Sequence, residues 1–369
     1  MKPVNVLLIM RSKICLFVLA ASVLLPSCKE EGRGITVPVQ EVDYLNRSEV
    51  VAHGILVPQE FIGANTFALF DTLLMVMNNN PAGLLSVYST NTLSHLGTFC
   101  QKGRARNEFQ SDVSFCCRQA YIKDGHVILP LAEYPNTLKL VDVTASIENG
   151  GTVVTDVMEC LSMDDGIFVI LDDDYSNRYE FWEYMPMSEQ DDKVPTKYYL
   201  YRDNNKKELV FFNELMKSEF RNTILPYLGN LYKHPYKNKV VQSFQRLDYL
   251  LYMDFDSEKY FAVHQEGSLT FDDTFPRNND PHTALYFSAG TTSDQYVMFL
   301  YRHGDYTLKE TVDNPMPELL VFDWDGNFIS GYKLDKPVRT IVFDGLHKVL
   351  FGMDASENIY AFDLNGITS

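Results

Sequence analysis

Leu319-Leu320-Val321-Phe322-Asp323-Trp324-Asp325-Gly326 and Ile359-Tyr360-Ala361-Phe362-Asp363-Leu364-Asn365-Gly366 carry one pattern twice: an apolar run, an aspartate, and a tight-turn signal ending in glycine. The spacing from Phe322 to Phe362, filled with short β-rich runs, is the signature of small antiparallel sheets repeated around an axis. We therefore expect an all-β fold, a six-bladed β-propeller of four-stranded antiparallel blades, with seven short blades as the alternative. Such a ring must hide the edges of its first and last blades, so an N-terminal strand should close it. Val37 to Val42 is the segment read for that role, beside the C-terminal strands.

Blades can be assigned outward from this pair. The sixth holds Arg339 to Asp344, Lys348 to Met353 and Ile359 to Leu364, three strands that need the N-terminal one. The fifth holds Thr283 to Ser288, Gln295 to Tyr301, Leu319 to Asp323 and Asn327 to Leu334; the fourth holds Lys239 to Phe244, Tyr249 to Phe255 and Tyr260 to Gln265. Residues 214 to 231 have no clean period of two and suggest a short helix, while Tyr184 to Val194 and Asp272 to Pro281 read as loops. A third blade begins with Met158 to Leu171 and includes Tyr198 to Asn205 with Leu209 to Phe212. The second has strands around Phe115 to Ile122, His126 to Leu131 and Thr137 to Val143, the first two separated by Asp124-Gly125 as a hairpin should be. In the first, Leu69 to Met77 reads as one strand, followed by an Asn78-Asn79-Asn80-Pro81 turn, Leu84 to Tyr88 and His95 to Cys100.

Between the first two blades stands Gly103-Arg104-Ala105-Arg106-Asn107-Glu108-Phe109. It resembles the Gly-Arg-Gly-Pro-Asn-Glu-Phe signature of the TolB-like six-bladed propeller lipoproteins of Bacteroidetes, a family similar in turn to NHL-repeat propellers. Gly103, Arg104, Asn107, Glu108 and Phe109 match, whereas Ala105 and Arg106 replace Gly and Pro. The resemblance spans the mature chain and implies a cell-envelope lipoprotein whose propeller binds a ligand or a protein. In physical terms Gly103 would permit φ > 0 where the chain passes from one blade to the next, and Phe109 would wedge between blades. The functional alternative puts Arg104, Arg106 and Glu108 at a ligand-facing rim.

The N-terminus carries an address. Lys2, Arg11 and Lys13 precede an apolar run from Ile14 to Pro26, and residues 1–27 hold no acidic residue, as in an export signal. Leu25-Pro26-Ser27-Cys28 resembles a bacterial lipobox, which would make Cys28 the lipidated first residue of the mature protein. Acyl chains there would supply roughly 0.8 kcal/mol for each methylene buried in a membrane. Lys29, Glu30 and Glu31 resemble the tract that sends Bacteroidetes lipoproteins to the outer face of the outer membrane; a solvated tether is the other reading. The domain plan is thus a signal peptide at 1–27, lipidated cysteine and tether at 28–35, and a single propeller at 36–369. The expected location is the outer membrane, on its periplasmic or external side.

Composition narrows the partners. Removing residues 1–27 leaves 29 Lys and Arg against 49 Asp and Glu, a formal charge of −20. Such a surface repels phosphate backbones, and no nucleic-acid module is present, so nucleic acid is excluded as a partner. With 22 Tyr and 24 Phe the chain favours pleated, half-buried surfaces, consistent with an all-β core. Cys100, Cys116, Cys117 and Cys160 lack Cys-x-x-Cys spacing and read as buried thiols or one disulfide, such as Cys100 with Cys116 or Cys117.

Catalytic motifs are missing: the eight histidines are scattered, and neither Gly-x-Ser-x-Gly nor a phosphate-cradling glycine loop occurs. No catalytic residue, metal ligand or cofactor is assigned. Calcium is the one ion considered, at Asp156, Asp164, Asp165, Asp172, Asp173 and Asp174 or at Asp323-x-Asp325-Gly326, although solvated turns explain both. The leading functional expectation is a non-catalytic envelope lipoprotein binding a glycan, a peptide or another envelope protein. Its alternatives are a calcium-dependent lactonase-like or carbohydrate-active propeller and a purely structural interaction protein. Cys28→Ala should leave the fold intact and release the protein from membranes on fractionation; full retention in the membrane pellet would reject lipidation at Cys28.

Overall fold

The computed structural model describes residues 34–47, 50–59, 61, 63–110, 113–115, 119–164, 166–172, 175–183, 196–212, 229–268, 285–303 and 316–366. The export signal and Cys28 lie outside these residues, as do the loops expected at 184–194 and 272–281 and most of the helix expected at 214–231. The strands form six sheets, so the ring has six blades. Each blade runs from an inner strand at the axis to an outer strand at the rim. Blade 1 consists of Ala64–Phe70, Leu73–Asn80, Gly83–Ser89 and His95–Phe99. In blade 2 the inner strand is split into Val113–Phe115 and Tyr121–Lys123, both paired with His126–Glu133, and Thr137–Asp142 and Val154–Glu159 follow. Blade 3 is Gly166–Ile170, Arg178–Glu183, Thr196–Arg202 and Asn205–Leu209. Blade 4 is Gly229–Lys233, Lys239–Phe244, Tyr249–Asp254 and Lys259–Gln265. Blade 5 is Phe287–Thr292, Tyr296–Tyr301, Glu318–Asp323 and Phe328–Leu334. Blade 6 is Thr340–Asp344, Val349–Met353 and Ile359–Asp363, with Gly54–Leu56 as its outer strand.

Six apolar clusters account for the core, one between each pair of neighbouring blades. A blade in the ring buries both faces, so its middle strands read as unbroken apolar runs instead of alternating ones; Tyr296–Tyr301 is buried at every position. The repeated phenylalanines occupy equivalent places. Phe322 and Phe362 lie on the third strands of blades 5 and 6, are wholly buried, and each faces the preceding blade.

Ring closure differs from the sequence expectation in one respect. The closing strand is N-terminal, but it is Gly54–Leu56, antiparallel to Ile359–Asp363. Val39–Val42 instead lies parallel to Lys259–Gln265 as a fifth strand on blade 4, and Val51–Ala52 adds to blade 5 in the same way. The N-terminal segment is therefore a belt along consecutive outer edges. It begins at Ile35, which bridges to Phe212, with Thr36 N–H donating to the Phe211 carbonyl at 2.9 Å. Covering these edges satisfies backbone groups that would otherwise invite another strand.

Tyr44 pins the belt to the core. Its ring meets Tyr301 and Phe322 edge-on, at 5.6 Å each. The hydroxyl donates to Asp248, whose carboxylate also accepts from Ser268 at 2.9 Å and Tyr301 at 3.1 Å. Burial pushes the Asp248 carboxyl above the usual range, and the three hydroxyls oppose that shift. Farther along, Arg47 pairs with Glu318 of blade 5.

Other departures have local causes. The strand expected over Leu69 to Met77 is a hairpin, because Asp71 takes φ 54° and turns the chain at Asp71-Thr72. Thr283 to Ser288 is displaced to Phe287–Thr292, and the inner strands Ala64–Phe70 and Gly229–Lys233 escaped notice. The strand read as Thr137 to Val143 ends at Asp142, whose side chain caps a helix over Val143–Asn149 that stops at Gly150 with φ 65°. Tyr44→Phe should cost about 1.5–3 kcal/mol, the range for a hydrogen bond to a charged group, and Tyr44→Ala about 3–5 kcal/mol. Urea unfolding midpoints measure both, and a wild-type midpoint for Tyr44→Phe would show that the hydroxyl does not secure the belt.

Candidate functional site

Inner strands of blades 1 to 4 enclose an axial cavity of about 230 Å³ lined by Thr66, Ser114, Phe115, Ile167, Asn230, Leu231 and Tyr232. Hydroxyl and amide groups alternate there with apolar ones. Its side chains can hydrogen-bond and pack, and among the described lining residues there is no carboxylate or imidazole to move a proton.

One end of the axis is shaped by the turns joining first and second strands. His234 to Asn238, the turn of blade 4, sends Tyr236 across the ring to Phe70 of blade 1, with ring centroids 6.1 Å apart at 62°. Partial desolvation first, then the negative fields of Asp71 and Asp294, hold the Tyr236 phenol above its ordinary value. The turns of blades 1, 4 and 5 thus meet at this mouth. Blade 3 joins through Asn238, whose amide donates to Asp172 at 3.0 Å and to Asp256 at 2.9 Å. Blade 6 contributes Leu346, 69% exposed, blade 2 Ile122, 53% exposed, and Tyr236 itself is 65% exposed. Ile122 and Leu346, on the blades alternating with that of Tyr236, therefore flank an aromatic closure, with aspartates on the blades between them.

Beneath Tyr236 the turn is held rigidly. Its backbone N–H donates to His234 Nδ1 at 3.0 Å, and the His234 ring lies 4.8 Å from Trp324, whose Nε1 donates to the Ser293 carbonyl at 3.0 Å. His234 is depressed to about 4, by burial first and then by Lys237, Lys233 and Lys239. Burial also lowers Lys233 to about 8, against the opposing pull of Asp172 and Asp256. A neutral imidazole accepting at Nδ1 positions this loop and does not reach the cavity lining.

The residues singled out from sequence lie elsewhere. Gly103 to Phe109 links the outer strand of blade 1 to the inner strand of blade 2, and Phe109 is wholly buried between those blades. The wedge is as expected, but the reason for Gly103 is different. It is not among the positive-φ glycines; a Cβ there would stand 1.9 Å from the Glu108 carboxylate. That carboxylate accepts from Ala105 N–H at 2.9 Å, so Ala105 fits without strain. Asn107 accepts from Val154 N–H at 3.3 Å and Arg106 donates to the Thr155 carbonyl at 2.9 Å, while Arg104 is exposed. Lys139 donates to the Glu108 carbonyl and lies 4.4 Å over the Phe109 ring. The motif welds two blades.

The described members of the aspartate cluster do not converge. Asp156 is in the outer strand of blade 2, and Asp164 and Asp172 flank opposite ends of Gly166–Ile170. Asp323 Oδ1 accepts from Asp325 and Asn327 N–H, and Oδ2 from the Asn327 amide, so this turn satisfies its own carboxylate. Among the described residues no group of three His, Cys, Asp or Glu side chains is arranged to hold a metal. Cys100 and Cys160 are free, buried thiols, so Cys100 forms no disulfide; Cys116, Cys117, Asp165, Asp173 and Asp174 lie outside the described residues. The Tyr236 mouth escaped sequence reading because His234-Pro235-Tyr236-Lys237-Asn238 looks like any polar turn until blade 1 is brought opposite it.

Six blades of four to five strands around one axis define a β-propeller. The chain belongs to the family described as TolB-like 6-blade propeller-like, whose profile matches residues 65–345. No functionally curated protein matches. Solved structures with a similar fold include a Bacteroides fragilis protein described as exported, at 9% identity and TM-score 0.48, covering 88% of this chain and 98% of that one. Another is the Cps50 (Swd1) β-propeller domain from Myceliophteria thermophila, at 8% identity and TM-score 0.41, covering 85% and 100%. A third is the Pan2 WD40 domain of Neurospora crassa, at 10% identity and TM-score 0.38, covering 90% and 83%. At such identities the likeness concerns fold alone.

The His234 environment makes a pH prediction. Free histidine titrates near 6.5 and the folded group near 4, so between these values the unfolded chain binds a proton that the folded one does not. Stability should fall as pH drops from 6.5 to 4. In His234→Asn that loss should be smaller, as read from unfolding midpoints across the window; an unchanged pH slope would show that His234 is not buried neutral.

Proposed function

We propose that this protein is a non-catalytic binding lipoprotein of the bacterial outer membrane, which engages an envelope protein through the axial mouth formed by the inner turns. The observation that carries this reading is the mouth itself. Phe70 and Tyr236 close the axis from opposite blades, and Tyr236, Ile122 and Leu346 present apolar surface around it. Exposed aromatic and aliphatic anchors on a rigid scaffold are what a protein partner buries at the centre of an interface. A small substrate would instead be held in a deep, mostly apolar pocket with a few convergent polar groups, whereas the anchors at this mouth stand out into solvent.

The address is supported by the sequence. Residues 1–27 have the layout of an export signal, and Leu25 to Cys28 is lipobox-like. Acyl chains on Cys28 would tether the propeller at the membrane, and the acidic surface would keep it from nucleic acid and direct its contacts toward neutral or basic protein surfaces.

A photo-crosslinking residue placed at position 236 in cells tests the interface. We expect a discrete protein adduct, retained with the probe at the mouth and reduced at least roughly tenfold when Ile122→Lys and Leu346→Lys are combined, since each buried anchor contributes about 1–2 kcal/mol. An adduct spectrum equal to that of a probe at exposed Glu258, in an outer turn of blade 4, would contradict the reading.

A further inference from the structure

Blades 6 and 1 meet at the seam where the ring closes, and their interface is not apolar throughout. Leu74, Val76 and Tyr88 of blade 1 share an apolar cluster with Phe351, Met353 and Ile359 of blade 6. Toward the rim the same face of blade 1 becomes polar. Its strand register sets Val76 opposite Ser86, Ser86 opposite Thr98, and Tyr88 opposite His95. There, between blade 1 and the segment that follows the closing strand, lies a second cavity of about 230 Å³, walled by blade 1 and by Gln59 and Phe61.

The polar groups form a connected row. Asn78 Nδ2 donates to Ser86 Oγ at 2.8 Å, Ser86 Oγ lies 3.1 Å from Thr98 Oγ1, and Thr98 Oγ1 lies 3.0 Å from His95 Nε2. Asn78 and Ser86 are almost wholly buried, at 3% and 4% exposure. Aromatic rings stand beside the row, with Phe61 and Tyr88 centroids 4.9 Å apart and Tyr88 and His95 5.1 Å apart.

We propose that this seam pocket binds one ring of a neutral sugar. Three features select that class. Its described polar lining consists of amide, hydroxyl and imidazole groups, without carboxylate, ammonium or guanidinium. A charged ligand would lose its hydration there without a countercharge from the described lining, and a hydrocarbon would leave unused the hydrogen-bonding capacity that remains on the Asn78, Ser86, Thr98 and His95 row. Hydroxyls that donate and accept match a row whose members do both, and the apolar face of a pyranose packs on an aromatic ring. Size sets the limit: about 230 Å³ is room for roughly seven waters at about 30 Å³ each, enough for one ring and too little for an oligosaccharide.

Saturation-transfer NMR and titration of the full chain with glucose, galactose, mannose and N-acetylglucosamine test this, alongside glucuronic acid and glucosamine as charged counterparts. At least one neutral sugar should bind in the millimolar range, roughly tenfold more weakly in Ser86→Val and Thr98→Val and unchanged in Tyr236→Lys, which separates this site from the axial mouth. His95→Ala, at an exposed position, should weaken binding without disturbing the fold. Equal affinity for the free sugar and for the same sugar ending a longer glycan would identify a monosaccharide ligand; tighter binding of the glycan would identify a glycan end. The proposal is overturned if no neutral sugar binds, if the charged counterparts bind as well, or if the folded Ser86→Val, Thr98→Val and His95→Ala variants all bind like wild type.

Discussion

Closure of the ring rests on the pairing of Gly54–Leu56 with Ile359–Asp363, three residues holding together two ends of the chain. A strand this short would be a weak clasp alone. It is secured on one side by the belt on blades 4 and 5 and on the other by Val57, whose N–H donates to the Ile359 carbonyl at 2.8 Å. Tyr44 carries the belt into the interface between blades 4 and 5, so opening the clasp is coupled to a buried aromatic cluster and to the hydroxyl network on Asp248. The apolar seams between blades then have no free end from which to unzip.

That closed scaffold gives the turns their meaning. Inner strands of neighbouring blades lie side by side around the axis, so turns distant in sequence are delivered to one mouth, where Tyr236 and Phe70 meet. His234 and Trp324 hold the Tyr236 loop from below, and Asn238 ties it to Asp172 across the interface of blades 3 and 4. The interfaces between blades are spent largely on packing, and chemistry available for recognition is left in the axial cavity, at the mouth and at the closing seam. At the seam Asn78, Ser86 and Thr98 stand where a blade could have placed aliphatic side chains.

Much of the architecture was legible in the sequence because the blades are periodic. Phe322 and Phe362 repeat since third strands of successive blades face the same way, and Asp124-Gly125 marked a hairpin by the positive φ both residues adopt. The belt was not legible, because parallel addition to an outer edge leaves no hairpin signal; Val37 to Val42 reads as a lone strand, nothing marks Gly54–Leu56 as one, and only pairing partners assign their roles. The role of Gly103 was misread for a related reason: glycine answers both to positive φ and to close approach, and here a carboxylate packs where a Cβ would be. Both candidate sites are assembled from strands and turns of different blades or different edges, which no local motif records.

Native-state hydrogen exchange of the closing strand tests the account most directly. If the clasp opens only with the ring, the amides of Ile55 and Val57, which face blade 6, should be protected to nearly the same free energy as those of the blade 4 middle strands, and both should share one denaturant dependence. Exchange of these amides by a local opening, orders of magnitude faster and insensitive to denaturant while blade 4 stays protected, would show that the ring stands without its N-terminal strand.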